Sequence, residues 1–224
     1  MAQENCFLPL LIDMSGRKIV IFGGGSVGER KALLFSRYAD VTVISKGFTS
    51  CIRQLCEENN TKLVEANISD LTNEQIDTFL EDAFLVIPAT NEKSVNERIL
   101  SVAKARNILS NPVDSIGDVT VPSVIKRGSL TISISTSGLS PAFSRFTRQR
   151  IEEVITPQFD DMIRIQENLR TYLKEEVPEQ RDRKDILWQV LESRKVWEAL
   201  EGSYEKGYNV ALGIVTEKIN GKVR

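Results

Sequence analysis

The sequence predicts an α/β fold: a parallel-sheet domain, then a small α+β segment, then a C-terminal helical domain. Three observations support this prediction. Strand and helix patterns alternate over the first half, a glycine-rich turn joins the first strand to the first helix, and alternating strands and amphipathic helices follow. We expect the domains to cover residues 1–113, 114–155 and 156–224.

The first half alternates apolar strands with helices. Strands are predicted at 17–24, 40–45, 61–66, 83–90 and 108–114, with helices at 27–39, 49–59 and 94–107. The strands are short, continuous apolar runs, which is typical of parallel strands that are buried on both faces. Successive βαβ units wind right-handed onto one sheet, so these elements are expected to form a single layer covered by helices.

The second half begins with a strand–turn–strand pattern over 119–136, with its turn at Arg127-Gly128. Ser140-Pro141 predicts a helix start, because serine is a good N-cap and proline suits the first helical position. Thr156-Pro157 repeats that signal. We expect a charged loop or helix end at 170–185, a last amphipathic helix at 186–200, and an apolar tail at 210–215 that packs against the protein.

Composition narrows the classes of function. The chain has 224 residues, 41% apolar and 27% charged, as in a globular protein with a sizeable core. A formal net charge of −2 gives no reason to expect nucleic acid or an anionic membrane as a partner. The N-terminus lacks a signal-peptide pattern, and no apolar run approaches the ~20 residues of a membrane span. We therefore expect a cytoplasmic protein.

Cysteine and histidine usage limits the chemistry. Cys6, Cys51 and Cys56 are too few and too irregularly spaced for a disulfide framework or a zinc site. The chain has no histidine, so the commonest general base and the commonest transition-metal ligand are both missing. Acid–base chemistry must use carboxylates, Lys, Tyr or Cys, and no metal site is predicted.

The glycine-rich turn is the strongest single motif. Residues 23–28, GGGSVG, fit G-x-G-x-x-G between a predicted strand and a predicted helix, which is typical of Rossmann domains that bind nicotinamide dinucleotides. Gly23 permits the tight turn, Gly25 lets the backbone approach the pyrophosphate, and Gly28 allows close packing of the helix on the strand. Ser26 and Val27 open the helix, whose N-terminus faces the phosphate charge.

The second strand departs from the Rossmann pattern. An acidic residue usually binds the adenine ribose about twenty residues after the glycines, but this chain has Ser45, Lys46 and Gly47 there. Serine and backbone groups can still bind a ribose, and Lys46 is compatible with a 2′-phosphate. From these residues the choice between NAD and NADP stays open.

Polar residues follow the fourth and fifth strands, at the edge of the sheet where ligands bind in open α/β folds. Thr90 and Asn91 are candidates for contacts with the nicotinamide ribose or carboxamide, or for a local helix cap, and both roles are compatible. Asp114 is the one carboxylate predicted at the mouth of the cleft. Since histidine is absent, it is the candidate acid–base group, with a plain turn aspartate as the alternative.

Four segments together resemble one known family. FLPLLIDMSGRKIVIFGGGSVGERKA, PATNEKSVN, NPVDS and VPSVIKRGSLTISISTSGLSPAFSRFTRQRIE are similar, in this order, to the precorrin-2 dehydrogenases and to the corresponding module of sirohaem synthases. The likeness covers roughly residues 5–165. It implies oxidation of precorrin-2, a small-molecule tetrapyrrole, to sirohydrochlorin with NAD⁺ as hydride acceptor, and a homodimer formed through the segment after the Rossmann domain.

The resemblance also implies roles for particular residues. Asp114 falls on the aspartate that the family uses at its active site. Ser26-Val27 and Lys46-Gly47 fall on its dinucleotide contacts, and the family commonly lacks the ribose-binding acid, which favours NAD. Thr136 stands where some bifunctional members carry a serine that is phosphorylated.

A tetrapyrrole with many carboxylates requires cationic groups on its side of the cleft. Candidates are Arg145 and Arg148, one turn apart on the helix that begins at Ser140-Pro141, and Lys126 and Arg127 at the hairpin turn. The helix start, with Thr136, Ser137, Gly138 and Ser140, offers further donors to an anion. Each cation has a solvated surface position as its alternative.

Two other functions compete with this prediction. One is a bifunctional enzyme that also inserts Fe²⁺ or Co²⁺ into sirohydrochlorin with the help of Asp114. The other is a non-catalytic dimer that senses NAD(H) through its charged C-terminal half.

Overall fold

The computed structural model describes residues 7–58 and 61–222, so Cys6 lies outside the described residues. The chain divides into two compact units, Met1–Val121 and Pro122–Arg224.

The first unit is a parallel sheet covered by helices on both faces. Its strands are β1 (Lys18–Phe22), β2 (Asp40–Ser45), β3 (Thr61–Glu65), β4 (Ala83–Pro88) and β5 (Leu109–Ser110), and its helices are α1 (Ser26–Phe35), α2 (Ser50–Glu58), α3 (Asn73–Phe79) and α4 (Lys93–Ala105). The strand order is β3-β2-β1-β4-β5, with every pairing parallel. This arrangement confirms the predicted α/β fold of Rossmann type.

Strand β1 lies at the centre of two apolar cores. Ile19 and Ile21 pack with α1 and α2 on one face, whereas Val20 and Phe22 pack with α3 and α4 on the other. All four side chains are fully buried. Alternate residues of a strand point to opposite faces, so a continuous apolar run is what two covered faces require.

Up to residue 222, where the description of the chain ends, the second unit contains one hairpin and five helices. The hairpin pairs β6 (Ser123–Arg127) with β7 (Leu130–Ile134), and the helices are α5 (Pro141–Val154), α6 (Gln158–Glu176), α7 (Gln180–Glu192), α8 (Arg194–Leu200) and α9 (Tyr204–Lys222). Helices α6 to α9 share one apolar core. The small antiparallel sheet and the helical C-terminal part agree with the predicted fold class.

One prediction about the C-terminal helices was right only in part, because 170–185 does contain the end of α6, and another was wrong. The segment 170–185 is mostly helical, because Leu169, Leu173 and Val177 continue a buried stripe at a spacing of four residues beneath the exposed charges. Helix α6 ends just before Pro178, where proline disfavours helical backbone in the residue that precedes it.

The predicted last helix at 186–200 is two helices, which meet at Ser193 in extended backbone. The indole nitrogen of Trp197 donates to the carbonyl of Leu191 at 2.7 Å, a group in the last turn of α7. The apolar tail belongs to α9, where Ala211 and Val215 are fully buried.

Candidate functional site

The glycine turn after β1 is packed closely on its neighbours. Gly23 has φ +124°, and a Cβ there would lie 2.3 Å from the carbonyl oxygen of Ala89, at the end of β4. A Cβ on Gly28 would lie 1.9 Å from the carbonyl oxygen of Gly23, so α1 approaches the turn as closely as its backbone allows. Neither position can hold a side chain without movement of the backbone, which agrees with the tight turn and close packing predicted from the motif.

Gly25 is different, because a Cβ there would meet no atom within 4 Å. It is the N-cap residue of α1, and no side chain caps this helix. The first N–H groups of a helix have no partner within it, so those of Ser26 and Val27 lack an acceptor in α1 itself. An uncapped helix start beside an open backbone is a suitable site for an anion such as a pyrophosphate.

A cleft of about 500 Å³ opens beside the turn, within the first unit. Its walls include seven of the predicted cofactor residues: Gly23, Gly25, Ser45, Lys46, Gly47, Thr90 and Asn91. They also include Gly24 of the predicted motif and Ala89 beside Thr90, together with residues that the sequence reasoning missed: Phe48, Thr49, Asn67, Ile68, Ser69 and Glu92. Asn67 to Ser69 follow β3, so the rule that ligands bind at strand ends was a usable signal for them.

The end of β2 carries no carboxylate. Ser45 is buried, and its hydroxyl accepts the N–H of Gly47 at 3.4 Å. Lys46 is exposed and lines the cleft. The hydroxyl of Ser45 therefore shapes the turn at 45–47, and the exposed cation is the side chain at this end of β2 that faces solvent.

The loop after β4 is held by a buried asparagine on α4. The side-chain oxygen of Asn96 accepts from both the N–H and the hydroxyl of Thr90, at 3.1 and 2.7 Å. Its amide nitrogen donates to the Thr90 carbonyl at 3.2 Å. Thr90 thus has the local structural role that was the alternative to ligand binding, while Asn91 is exposed. Asn96 itself was not predicted, since no local pattern distinguishes it from a surface residue of a helix.

Asp114 lies in the irregular segment after β5 and is exposed. Within the described part of the chain, its carboxylate takes part in no hydrogen bond or ion pair. The neighbouring Asp118 is occupied instead, because its carboxylate accepts from the N–H and the hydroxyl of Ser110 at 3.0 and 2.7 Å. Of these two acids, only the carboxylate of Asp114 is therefore left available to a ligand.

In the second unit, polar groups of the turn between β7 and α5 are hydrogen-bonded to one another and to the first turn of α5. Ser137 and Gly138 have φ +51° and +84°, and the carbonyl of Thr136 accepts from Leu139 N at 2.9 Å. The Thr136 hydroxyl accepts from Ser140 N at 3.0 Å. The Ser140 hydroxyl accepts from Phe143 N at 3.2 Å, which confirms the predicted N-cap of α5.

The predicted cations of this unit have different surroundings. Arg127 donates from Nε to the Ile155 carbonyl at 3.0 Å and from Nη1 to the Lys126 carbonyl at 3.1 Å, so part of its donor set supports the hairpin. Arg145 is exposed on α5. Arg148 is half-buried, and its Nε is fully buried without a hydrogen-bond partner among the described residues.

Among the described residues, no three or more His, Cys, Asp or Glu side chains lie close enough together to hold a metal ion. Within 7–58 and 61–222, no helix is long and apolar enough to cross a membrane.

Comparisons with known proteins agree with this architecture. An NAD(P)-binding family model matches residues 10–123, and one for the central part of sirohaem biosynthesis proteins matches residues 127–153. The solved structure of SirC, a precorrin-2 dehydrogenase, superposes with a TM-score of 0.73, covering 94% of this chain and 100% of that one, at 18% identity. The fold and the family model thus define an NAD(P)-binding protein of Rossmann type.

Curated relatives identify the family. A precorrin-2 dehydrogenase from Methanosarcina barkeri is 50% identical over 216 residues, which is 96% of both chains. A siroheme synthase from Methylococcus capsulatus is 31% identical over 92% of this chain but only 43% of its own length. The chain belongs to the precorrin-2 dehydrogenase family, as the resemblance predicted.

Proposed function

We propose that this protein oxidises precorrin-2 to sirohydrochlorin with NAD⁺ as the hydride acceptor, within sirohaem and related tetrapyrrole biosynthesis. The observation that carries the proposal is the 50% identity to a precorrin-2 dehydrogenase over 96% of both chains. In the reaction, the substrate loses a hydride and a proton, which leave as NADH and H⁺.

The residues of the first unit fit the cofactor. The empty space at Gly25 and the uncapped start of α1 suit a pyrophosphate, and the backbone N–H groups of Ser26, Val27 and Gly28 would hold it. Ser45, Lys46 and Gly47 line the cleft on the ribose side, and Thr90 and Asn91 line it after β4. When bound, the nicotinamide supplies the hydride acceptor.

Asp114 is proposed as the group that receives the proton. It follows β5 at the carboxyl edge of the sheet, the edge on which a nicotinamide would lie, and its carboxylate is exposed.

The substrate carboxylates are proposed to contact Arg145, Arg148 and the remaining donors of Arg127. The exposure of Arg145 on α5 supports this assignment, because its guanidinium is accessible to a carboxylate. Thr136, Ser137 and Gly138 are proposed to act mainly by shaping the turn that precedes α5.

The test is Asp114→Asn, assayed anaerobically with precorrin-2 and NAD⁺ by following NADH absorbance. Loss of the base should lower kcat at least ~100-fold, whereas NADH affinity, measured by fluorescence titration, should stay within about twofold. The matched control is Asp40→Asn, an exposed acid at the start of β2, which should turn over normally. Normal turnover in Asp114→Asn would contradict the role of Asp114, and no turnover by the unmutated protein would contradict the function.

NAD is proposed over NADP because it is what the family resemblance implies. The Lys46→Ala variant tests the choice between NAD and NADP. If Lys46 contacts only the NAD ribose, KM for NAD⁺ should rise a fewfold and KM for NADP⁺ should rise no more than that. A selective loss of NADP⁺ turnover would contradict the proposal, because it would mean that Lys46 binds a 2′-phosphate.

We also propose that the protein is cytoplasmic. A homodimer formed through the hairpin and α5 is proposed as the functional unit. Apolar side chains on and beside α5 are unusually open: Leu139, Phe143 and Phe146 are 89%, 60% and 52% exposed. A two-stranded hairpin is marginal on its own, and such a patch is typical of protein–protein contacts. Light scattering of the unmutated protein and of Phe143→Glu tests this, with a monomeric unmutated protein as the contradicting result.

The dehydrogenase is preferred over the two competing functions. The M. barkeri precorrin-2 dehydrogenase matches along nearly the full length of both chains, whereas the siroheme synthase is matched over only 43% of its own length. Incubation of the protein with sirohydrochlorin and Co²⁺ distinguishes the bifunctional alternative, because metal insertion changes the absorption spectrum.

A further inference from the structure

The segment that carries Asp114 is a closed loop. Its two ends are joined by hydrogen bonds: Val119 N donates to the Ser110 carbonyl at 3.0 Å, and Ser110 N donates to the Asp118 carboxylate at 3.0 Å. A Cβ on Gly117 would lie 2.2 Å from Pro112 Cδ, so the loop also packs tightly on itself. Asp114 thus lies in the middle of an eight-residue connection, residues 111–118. The two ends of this connection, which form the base of the loop, are held together by hydrogen bonds.

Asn111 is the side chain at the centre of that base. It is buried, its N–H donates to the Val86 carbonyl of β4 at 3.0 Å, and its side-chain Nδ2 donates to the Val119 carbonyl at 2.7 Å. When the side-chain Nδ2 of Asn111 faces the Val119 carbonyl, its Oδ1 must face away from the loop. That oxygen is held by Lys31, whose Nζ donates to Asn111 Oδ1 at 2.5 Å.

Lys31 comes from α1, the helix whose start forms the proposed phosphate site. Its side chain is half-buried, and within the described residues it has no carboxylate partner. Burial lowers the pKa of Lys31, and the nearby charge of Arg30 lowers it further. A half-buried cation without a counter-ion is unfavourable, and the hydrogen bond to Asn111 Oδ1 is the contact that holds the Lys31 ammonium in this position.

We propose that Lys31 is a positioning residue for the reaction: through Asn111 it ties the Asp114 loop to the cofactor-binding helix. The start of helix α1 would then bind the pyrophosphate. About one and a half turns further along the same helix, Lys31 would hold the loop that carries Asp114. A single rigid element would set the distance from the nicotinamide to Asp114. The inference rests on the proposed function, because it assumes that Asp114 takes the proton.

The geometry makes a sharp kinetic prediction for Lys31→Met, which keeps the length of the side chain and removes its donor. Displacement of a catalytic group by about 1 Å can cost ~100-fold in rate. We expect kcat to fall by about 10- to 100-fold, with KM for NAD⁺ and NADH affinity within about twofold. The matched control is Lys62→Met, an exposed lysine on β3, which should behave like the unmutated protein.

A double variant separates positioning from direct contact with substrate. If Lys31 acts through Asn111, then Asn111→Ala should lower kcat to a similar degree, and the double variant should be no slower than the slower single variant. Multiplying effects, or a rise in KM for precorrin-2 with unchanged kcat, would overturn the inference, because they would mean that Lys31 binds the substrate itself.

A measurement without substrate keeps the test independent of the proposed function. In Lys31→Met, hydrogen exchange of the Ser110, Asn111 and Val119 amides should be at least about tenfold faster, with the β1 amides unchanged. Unchanged exchange at these three amides would overturn the tie between Lys31 and the loop. An unmutated protein that fails to oxidise precorrin-2, but whose variant shows the faster exchange, would overturn the proposed function while leaving that tie intact.

Discussion

The turn before α1 and the turn before α5 both lead from a strand into a helix, and they treat the helix start in opposite ways. The turn before α1 ends in Gly25, which has no side chain, so the first N–H groups are left to a ligand. The turn before α5 ends in Ser140, whose hydroxyl accepts the N–H of Phe143 at 3.2 Å, while Thr136 accepts that of Ser140. A helix start binds an anion only where the protein leaves its donors unused.

Helix α3 belongs with α5 in this comparison. Its N-cap Thr72 accepts from Gln75 N at 3.3 Å, and the Gln75 side chain accepts from Thr72 N at 2.8 Å, which is a complete capping box. Self-capped starts of this kind stabilise the fold, whereas the α1 start is available for function. Of the two anion sites expected from the sequence, the start of α5 is therefore the less favourable and the start of α1 the more favourable.

The largest expected effect is that of Gly25→Asp. A carboxylate at this position would lie where the pyrophosphate is proposed to bind, so NADH affinity should fall at least ~100-fold in a fluorescence titration. Because aspartate is a good N-cap and no atom lies within 4 Å of the new Cβ, thermal stability should be unchanged or higher. The opposite signs of these two effects distinguish loss of the binding site from loss of the fold.

Gly25→Asn and Gly138→Asp are the controls for that variant. The neutral isostere should weaken NADH binding much less, about tenfold, since it lacks the charge. Gly138→Asp places the same charge before α5 and should leave NADH affinity within about twofold. Equal losses for Gly25→Asp and Gly138→Asp would erase the distinction between the two turns.

The next effect is that of Gly28→Ala on folding. The added methyl would lie 1.9 Å from the backbone oxygen of Gly23, so α1 must move away from the turn. We expect the free energy of unfolding in urea to fall by about 2–3 kcal/mol, with weaker NADH binding as a consequence. Unchanged stability in the Gly28→Ala variant would mean that the close approach is not needed.

A smaller effect is expected from Ser140→Ala, which removes the cap of α5. Loss of an N-cap side chain costs about 1 kcal/mol, and Ser140→Thr should restore most of it. NADH affinity should not change in either variant. A loss of NADH binding would indicate that this turn takes part in cofactor binding after all.

The smallest effect concerns pH and the self-capped start of α3. A hydrogen bond with the Thr72 side chain holds the pKa of Glu74 below its usual value. A carboxyl whose pKa is lowered by folding stabilises the protein above the unfolded pKa, and this contribution disappears as the pH falls through the folded pKa. The stability difference between the unmutated protein and Glu74→Gln should therefore shrink between about pH 6 and pH 3, as urea unfolding at each pH can show. A difference that does not change with pH would contradict the assignment.

Much of the first unit could be predicted because its signals are local. The strand Asp40–Ser45 has the predicted bounds, since the apolar run and its flanking polar residues coincide with the buried layer. Helix α3 was missed although its capping-box pattern, Thr72 to Gln75, is legible in the sequence. Seven residues are too few for an amphipathic period to stand out.

The parts of the site that were missed depend on contacts between distant residues. Asn96 and Lys31 look like ordinary polar positions on helices, and only the folded chain brings them to Thr90 and Asn111. The extension of α6 through 170–176 was missed because charge on the exposed face masked the buried stripe beneath it. Local patterns predict which elements form, whereas hydrogen bonds across the fold decide which side chains are held in place.

The cross-linked base of the Asp114 loop has a consequence for engineering. Because residues 110 and 119 are hydrogen-bonded to each other, the exposed residues on either side of Asp114 can be exchanged without altering the path of the chain at the base of the loop. Libraries confined to positions 113, 115 and 116 would vary the surface beside the acid on an unchanged scaffold.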